Sequence, residues 1–251
     1  MKKQFILFSI LTLSLYSCQE NRGLTEVNIP ERVAFKTEVK DIPLSNTIRT
    51  NQGPFEMPLL AYQFDELPEI STTQALLSHF ENFHLDYTNK LNSAIHTTVY
   101  ENDSIQLLIK KITSKEPHIK NLSGAHFNHV LFWQSITPKK NTQPSEELLS
   151  AINSSFGSVE AFKNAFKQEA MQYIGSGWIW LVKKGNHLEI VSTRNNDNPL
   201  MPELNLGTPL IAVDLWEHAY VTTHGNNREK YLTALLNQLN WEFITKEYIK
   251  K

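Results

Sequence analysis

The sequence has 251 residues, of which 41% are hydrophobic and 20% charged, a composition that supports one or two globular domains with a buried core. Its 24 basic and 26 acidic residues give a net charge of −2, which argues against nucleic acid or a polybasic membrane patch as a binding feature. The single cysteine excludes an intrachain disulfide.

The first 18 residues combine two lysines with an apolar run from Phe5 to Tyr16 and end at Ser17 and Cys18. This run is too short to span a bilayer as a helix and is typical of a secretory signal. The stretch LYSC resembles the bacterial lipoprotein signal, in which the cysteine is lipidated and becomes the mature N-terminus. The resemblance predicts an exported protein, held at the bacterial cell envelope (periplasm or outer membrane) by a lipid anchor on Cys18 alone. A plain signal peptide with an incidental cysteine is the alternative.

Residues 19–56 are polar, mixed in charge and interrupted by prolines and glycines, so we interpret them as a polar tether. A short strand around residues 33–39 is the one element that this stretch suggests.

The next stretch predicts helices. Apolar residues at spacings of three and four predict a long helix over residues 67–92, with Ser71 or Thr72 as its N-cap. Further helices are predicted at about residues 104–113 and 121–134.

In the second half of the sequence, the spacing of apolar residues is first that of helices and then that of β-strands. Helices are predicted from Ser145 and over residues 158–173, followed by two β-rich runs, WIWLVKK and HLEIVST, joined by a tight turn as an antiparallel hairpin. A third short strand is predicted at residues 209–214 and a closing helix at 230–248. The order of elements predicts an α+β fold.

Three segments carry residues that can bind a metal or move protons. His79 shares a helix face with Phe83 and Tyr87, at the positions i, i+4 and i+8. The stretch GAHFNHVLFW places two histidines three residues apart, and DLWEHAY places an aspartate four residues before a histidine. Taken segment by segment, a histidine in such a setting is more often an ordinary core residue than a ligand. Three histidines and one aspartate together form a nitrogen and oxygen ligand set that suits iron, manganese or zinc.

The motifs LLSHFENFHLDY, HFNHVLFW, GSGWIWLV, DLWEHAY and LNWE, in this order, resemble the iron/manganese superoxide dismutase family over Met57 to Lys251. The family pattern D-x-W-E-H is matched by Asp214, Trp216, Glu217 and His218. The pattern N-H-x-x-F-W is matched by Asn128, His129, Phe132 and Trp133.

The resemblance implies an N-terminal helical hairpin domain at residues 57–142 and, at residues 143–251, a C-terminal domain of helices around a small three-stranded antiparallel sheet. It implies one iron or manganese ion per subunit, with a water or hydroxide as the fifth ligand. The metal would cycle between its +3 and +2 states and convert superoxide to oxygen and hydrogen peroxide. The four protein-ligand positions are His79, His129, Asp214 and His218.

The resemblance also assigns the surroundings of the metal. Tyr87 falls at the gateway tyrosine, and Asn196 falls where manganese-type members usually carry a glutamine that reaches the bound solvent. Four tryptophans match the family's aromatic shell, which excludes water from the metal site: Trp133, Trp178, Trp180 and Trp216.

A homodimer is implied as well. Glu217 falls at the glutamate that reaches the partner's metal-binding histidine. Phe83 and Val221 replace a histidine and a tyrosine that meet across the family's dimer interface, so an apolar contact would stand in for a polar one.

Two other functions remain open. The missing glutamine and channel histidine would suit a non-catalytic member that binds metal or serves as a structural envelope protein. A zinc hydrolase on the same ligands is disfavoured, because no HExxH motif is present.

Overall fold

The computed structural model describes residues 42–250. The signal segment 1–18, the lipidation site Cys18 and the suggested strand at 33–39 lie outside the described residues, so export and lipid anchoring stay predictions. Within residues 42–250, no helix combines the length and the apolar character needed to cross a bilayer.

The first half is helical. The long helix predicted near residue 67 begins one residue after Thr72, whose side chain accepts a hydrogen bond from Ala75 N at 3.3 Å. The helix continues without a break through an α-helical, a π-helical and a second α-helical segment, because the residues at both junctions keep right-handed helical backbone angles. The elements are α1 (Thr73–Ser78), a π-helical segment (His79–Leu85), α2 (Asp86–Ile95), α3 (Ile105–Lys111) and α4 (Pro117–Ser135).

The second half surrounds a three-stranded antiparallel sheet with strand order β2-β1-β3. Gly185, at φ 59°, turns the chain between the first two strands, where only glycine adopts this angle without cost. The elements are α5 (Glu146–Phe156), α6 (Val159–Gln172), β1 (Gly177–Lys184), β2 (His187–Arg194), β3 (Thr208–Asp214), α7 (Glu217–His224), α8 (Arg228–Asn237) and α9 (Trp241–Ile249). The predicted α+β fold is confirmed.

The closing helix differs from its prediction. Residues 230–248 form two helices, α8 and α9, separated at residues 238–240. Asn240 causes the break: its backbone N–H donates to Ser135 O at 2.7 Å, and its side chain caps α9 by accepting from Phe243 N at 3.2 Å. A bridge between Ile136 and Leu239 fixes the same point against the end of α4.

The core joins the two halves. The strand β1 is buried from Gly177 to Val182, and its side chains lie in one apolar cluster with Trp133 of α4. A second apolar cluster, which includes Leu91 and Leu108, fills the space between α2, α3 and α4. Because α4 packs against α2 on one side and β3 on the other, it connects the hairpin to the sheet.

The expected tether differs from the structure over residues 42–56, which lie against the folded body. Ser45 is buried and donates its hydroxyl to Tyr62 O at 3.0 Å. The Asn92 side chain binds the other end of this segment through both backbone groups of Phe55. Its Oδ1 accepts from Phe55 N at 3.0 Å, and its Nδ2 donates to Phe55 O at 2.9 Å, as a neighbouring β-strand would. Gly53 is required beside it, since an added Cβ would lie 2.3 Å from the Asn92 side chain. We call residues 45–55 the N-terminal clasp.

Replacing Asn92 by alanine should release this end of the clasp. The substitution leaves the buried N–H and C=O of Phe55 without partners, so we expect the free energy of unfolding to fall by about 1–3 kcal/mol. Urea unfolding measures this. The control is Asn89→Ala, which removes an exposed bond to Asn51 N and should cost clearly less. Equal losses from both substitutions would contradict the role given to Asn92.

Candidate metal centre

Four side chains from four different elements meet at one point. His79 begins the π-helical segment, His129 lies on α4, Asp214 ends β3, and His218 is the second residue of α7. One nitrogen or oxygen atom of each lies within 4.8 Å of the corresponding atom of every other, and the first three side chains are almost fully buried. Side chains separated by up to 139 positions in the sequence thus face a common centre.

The distances suit one metal ion. Asp214 Oδ2 lies 3.2 Å from His79 Nε2, 3.2 Å from His218 Nε2 and 3.6 Å from His129 Nε2. An ion about 2.1 Å from two donors, with an angle of about 90–120° between them, places those donors roughly 3.0–3.6 Å apart. The four residues therefore fit a single ion with nitrogen and oxygen ligands.

Hydrogen bonds fix which atom of each side chain faces the centre. His129 Nδ1 donates to Ala125 O at 2.7 Å, so this nitrogen carries the hydrogen and Nε2 presents a lone pair. Asp214 Oδ1 accepts from Trp216 N at 2.7 Å, which leaves Oδ2 for the centre.

Two lone pairs in the centre have no partner. The Nε2 atoms of His79 and His129 are buried and make no hydrogen bond with any group of residues 42–250. His79 Nε2 is close to Asp214 Oδ2, but the approach does not have hydrogen-bond geometry, as expected when both atoms point to a third position between the side chains. A buried nitrogen without a partner is costly, and a bound cation removes that cost.

The electrostatics also favour a cation. Burial by itself would raise the pKa of Asp214, but the imidazoles of His218 and His79 hold it well below its usual range. Burial, reinforced by the neighbouring His79, lowers the pKa of His129 from 6.5 to about 3. Burial likewise lowers the pKa of His79. At neutral pH the centre thus contains one carboxylate and neutral buried imidazoles, the protonation state that metal binding requires.

Aromatic rings enclose the ligands. Trp133 lies 5.0 Å from His79, and Trp178 lies 5.0 Å from His129, both measured between ring centroids. Trp216 stacks on His218 at 5.9 Å. Trp180 belongs to a second layer: it lies 6.0 Å behind Trp178 and donates Nε1 to a threonine of β2. Three of the four expected tryptophans therefore border the ligands directly.

Asn196 is buried in the loop that follows β2, and its amide is already occupied. Its Oδ1 accepts from Trp178 Nε1 at 3.3 Å, and its Nδ2 donates to Asn121 Oδ1 at 3.1 Å. Gly124 lets this loop approach α4, because an added Cβ would lie 1.9 Å from Asn196 O. Tyr87 is half-buried near the same amide; burial raises its pKa, and the amide opposes the rise.

The residues expected at a dimer interface lie on one side of the centre. The Phe83 ring stacks directly on His218, with centroids 4.0 Å apart and planes 14° from parallel. Glu217 and Val221 are exposed on the same helix as His218.

His84 contacts the centre and was missed by the sequence analysis. It is fully buried, and its ring stacks on that of His129 at 5.1 Å. An α-helical period aligns His79 with residues four and eight positions later, whereas the wider turn of the π-helical segment changes which side chains lie together. The sequence offered one signal, a second histidine directly after Phe83. No sequence pattern predicted the π-helical turn that brings this histidine to the centre.

Two domains of one family match the chain. Residues 54–137 match the alpha-hairpin domain of iron/manganese superoxide dismutases. Residues 144–247 match the C-terminal domain of iron/manganese superoxide dismutases. Together the two matches cover most of the chain, and the four residues of the centre fall inside them. The protein therefore belongs to the iron/manganese superoxide dismutase family, as the motifs had indicated.

The buried histidines predict a pH dependence of the metal-free protein. Burial lowers the pKa of His126 from 6.5 to about 4, so between these values the unfolded chain binds a proton that the folded chain does not. Stability therefore rises with pH through this window and is lost as the pH falls to 4. His126 alone corresponds to about 3 kcal/mol. Asp214 contributes nothing here, because a lowered carboxyl pKa acts only below about pH 4.

Urea unfolding at pH 4 to 7 measures this dependence. His126→Leu should flatten the curve, whereas the control His118→Leu, at an exposed position, should leave it unchanged. An unfolding free energy that is constant from pH 6.5 to 4 would show that the histidines are not held neutral by the fold.

Proposed function

We propose that this protein is a superoxide dismutase that uses one iron or manganese ion per subunit, held by His79, His129, Asp214 and His218. The observation that carries the proposal is the convergence of these four side chains, with two buried lone pairs lacking any other partner. The family match supports the same activity.

The reaction has two halves. One superoxide gives up an electron and leaves as oxygen, and a second takes up an electron and two protons and leaves as hydrogen peroxide. A bound iron or manganese ion supplies the reversible one-electron change. The tryptophans exclude bulk water, and the Asp214 carboxylate, fixed through Trp216 N, places a full negative charge against the bound cation.

Tyr87 and Asn196 are the residues best placed to handle protons. The phenol is half-buried at the edge of the centre, with its ring 5.9 Å from that of His129. Its raised pKa keeps the hydroxyl protonated at neutral pH, so that it can donate a hydrogen bond. Asn196, held by Trp178 and Asn121, is a fixed amide dipole beside it.

One observation supports the alternative, a non-catalytic metal-binding or structural member. The Asn196 amide is one methylene shorter than glutamine and is engaged by Trp178 and Asn121. A weaker contact with bound solvent would change the reduction potential, on which both halves of the reaction depend.

The first experiment compares the purified chain with Asp214→Ala. We expect about one equivalent of iron or manganese and rapid consumption of superoxide in the unmodified protein. Asp214→Ala should lose at least tenfold in metal affinity, and activity with it, because the only carboxylate of the four ligands is removed. The control is Asp86→Ala, which removes a surface carboxylate paired with Lys90.

The outcomes separate the functions. Bound iron or manganese without superoxide consumption would select the non-catalytic alternative. Zinc as the only metal bound would favour a hydrolase, and an active Asp214→Ala variant would exclude the proposed centre.

We further propose that two copies associate through the side of the centre that carries Phe83, Glu217 and Val221. The exposed Glu217 lies beside His218 in the sequence, so a second copy could place its own glutamate against that imidazole. Val221, 39% exposed, supplies apolar surface that water otherwise covers.

Light scattering on the purified protein tests this. We expect twice the mass of one chain, and a single-chain mass for Val221→Asp, which puts a carboxylate into the apolar contact. Leu59→Asp is the control, at an apolar position that is 72% exposed elsewhere on the surface. A Val221→Asp variant that keeps the double mass would place the interface on another surface.

A further inference from the structure

His84 lies against the metal centre without being one of its ligands. It is fully buried in the π-helical segment, five residues after His79. Its imidazole is 17° from parallel with that of His129, at a centroid distance of 5.1 Å. None of its atoms belongs to the group of four ligand atoms.

A second buried histidine holds His84 in place. His84 Nε2 lies 3.2 Å from His126 Nδ1, and the same Nδ1 lies 2.9 Å from Thr88 Oγ1. The Thr88 hydroxyl has one hydrogen, and it donates this to His84 O at 2.8 Å. His126 Nδ1 therefore carries its own hydrogen, which it directs to Thr88 Oγ1 and His84 Nε2 together.

The pair is closed off from solvent. The ring of Phe55 covers His126 at a centroid distance of 5.6 Å, and Phe55 is itself fixed by the two bonds from Asn92. The clasp thus seals the pair on the side away from the metal centre.

Filling space does not account for a histidine at this position. His84 Nδ1 is buried and has no hydrogen-bond partner, which costs about 1–3 kcal/mol relative to an apolar side chain of the same shape. The Phe80 ring packs against His84 at a centroid distance of 5.8 Å, so the position is bordered by aromatic side chains. The cost is explained if a flat ring, held at a fixed angle by one hydrogen bond, is needed beside His129.

We infer that His84 is a positioning residue for His129. The Ala125 carbonyl fixes the His129 ring by one atom, and Trp178 meets it at 78°. The parallel ring of His218 is farther away than that of His84, at 6.1 Å, and the Tyr87 ring is tilted by 37° at 5.9 Å, so His84 is the nearest ring that lies flat against His129. His84 supports the face of that ring and limits the rotation of His129 about the bond to its ring. The inference rests on the proposed function, since a fixed ring angle matters when Nε2 binds the metal.

Two apolar substitutions of His84 provide the test. His84→Phe and His84→Leu both remove the hydrogen bond to His126 and both keep a buried apolar side chain, but only phenylalanine keeps a flat ring. Each protein is loaded with iron to one ion per chain. The measurements are the affinity for iron by chelator competition and the electron paramagnetic resonance spectrum.

We expect His84→Phe, which keeps a flat ring but loses the bond that fixes its angle, to change the spectrum and the iron affinity clearly less than His84→Leu does. His84→Leu should shift the spectrum and bind iron about 10- to 100-fold more weakly, the range found for residues that orient metal ligands. His84→Met, which also lacks a ring, should behave as His84→Leu and replaces it if the leucine variant does not fold.

The inference is overturned if the leucine and phenylalanine variants give the same spectrum and affinity, whether changed or unchanged. Loss of stability alone does not produce the expected result, because the spectra are compared at equal metal content. Failure of the proposed metal site looks different, because the unmodified protein would then bind neither iron nor manganese. Failure of the dismutase activity alone would leave the iron affinity and the spectrum of the unmodified protein in place, so the His84 variants could still be compared.

Discussion

The structure depends on one buried carboxylate. Asp214 has no exposed surface, and its ion-pair partners within residues 42–250 are histidines alone. An ionised carboxylate in the interior costs several kcal/mol unless it is paired, and burial keeps His79 and His129 from taking up the compensating protons. A metal ion bound by the four side chains would balance this charge. Such an ion would contribute to the stability of the fold as well as to its chemistry.

The rest of the fold keeps that carboxylate at the meeting point of the hairpin and the sheet. Tyr231 donates its hydroxyl to Asp214 O at 3.1 Å and so fixes the end of β3 from α8. The loop that follows β2 lies on α4, where Gly124 permits contact and Asn128 donates to Asn196 O at 3.3 Å. Because the ligands come from both halves of the chain, separation of the halves would dismantle the centre before any ligand unfolded.

Much of the fold and all four ligand positions could be predicted from the sequence, because their signals lie in short stretches of neighbouring residues. The amphipathic helices, the glycine turn and the alternation from helix to strand follow from periods that the sequence displays directly, and the motifs located the four residues of the centre. His84 could not be found in this way, because its position depends on a π-helical turn. The break between α8 and α9 arises from Asn240, which bonds to the distant end of α4. The packing of residues 42–56 depends on Asn92, a partner 37 positions from Phe55.

The clasp also changes how mechanical load would enter the molecule. A pull on the chain from its N-terminal side first meets the bonds of Ser45 to Tyr62 and Gln63, and then those of α2 to Asn51 and Phe55. These contacts act in series along the chain, so each must yield before the force reaches the next. Tension at the N-terminal end is therefore taken up by these contacts before it can displace a residue of the metal centre.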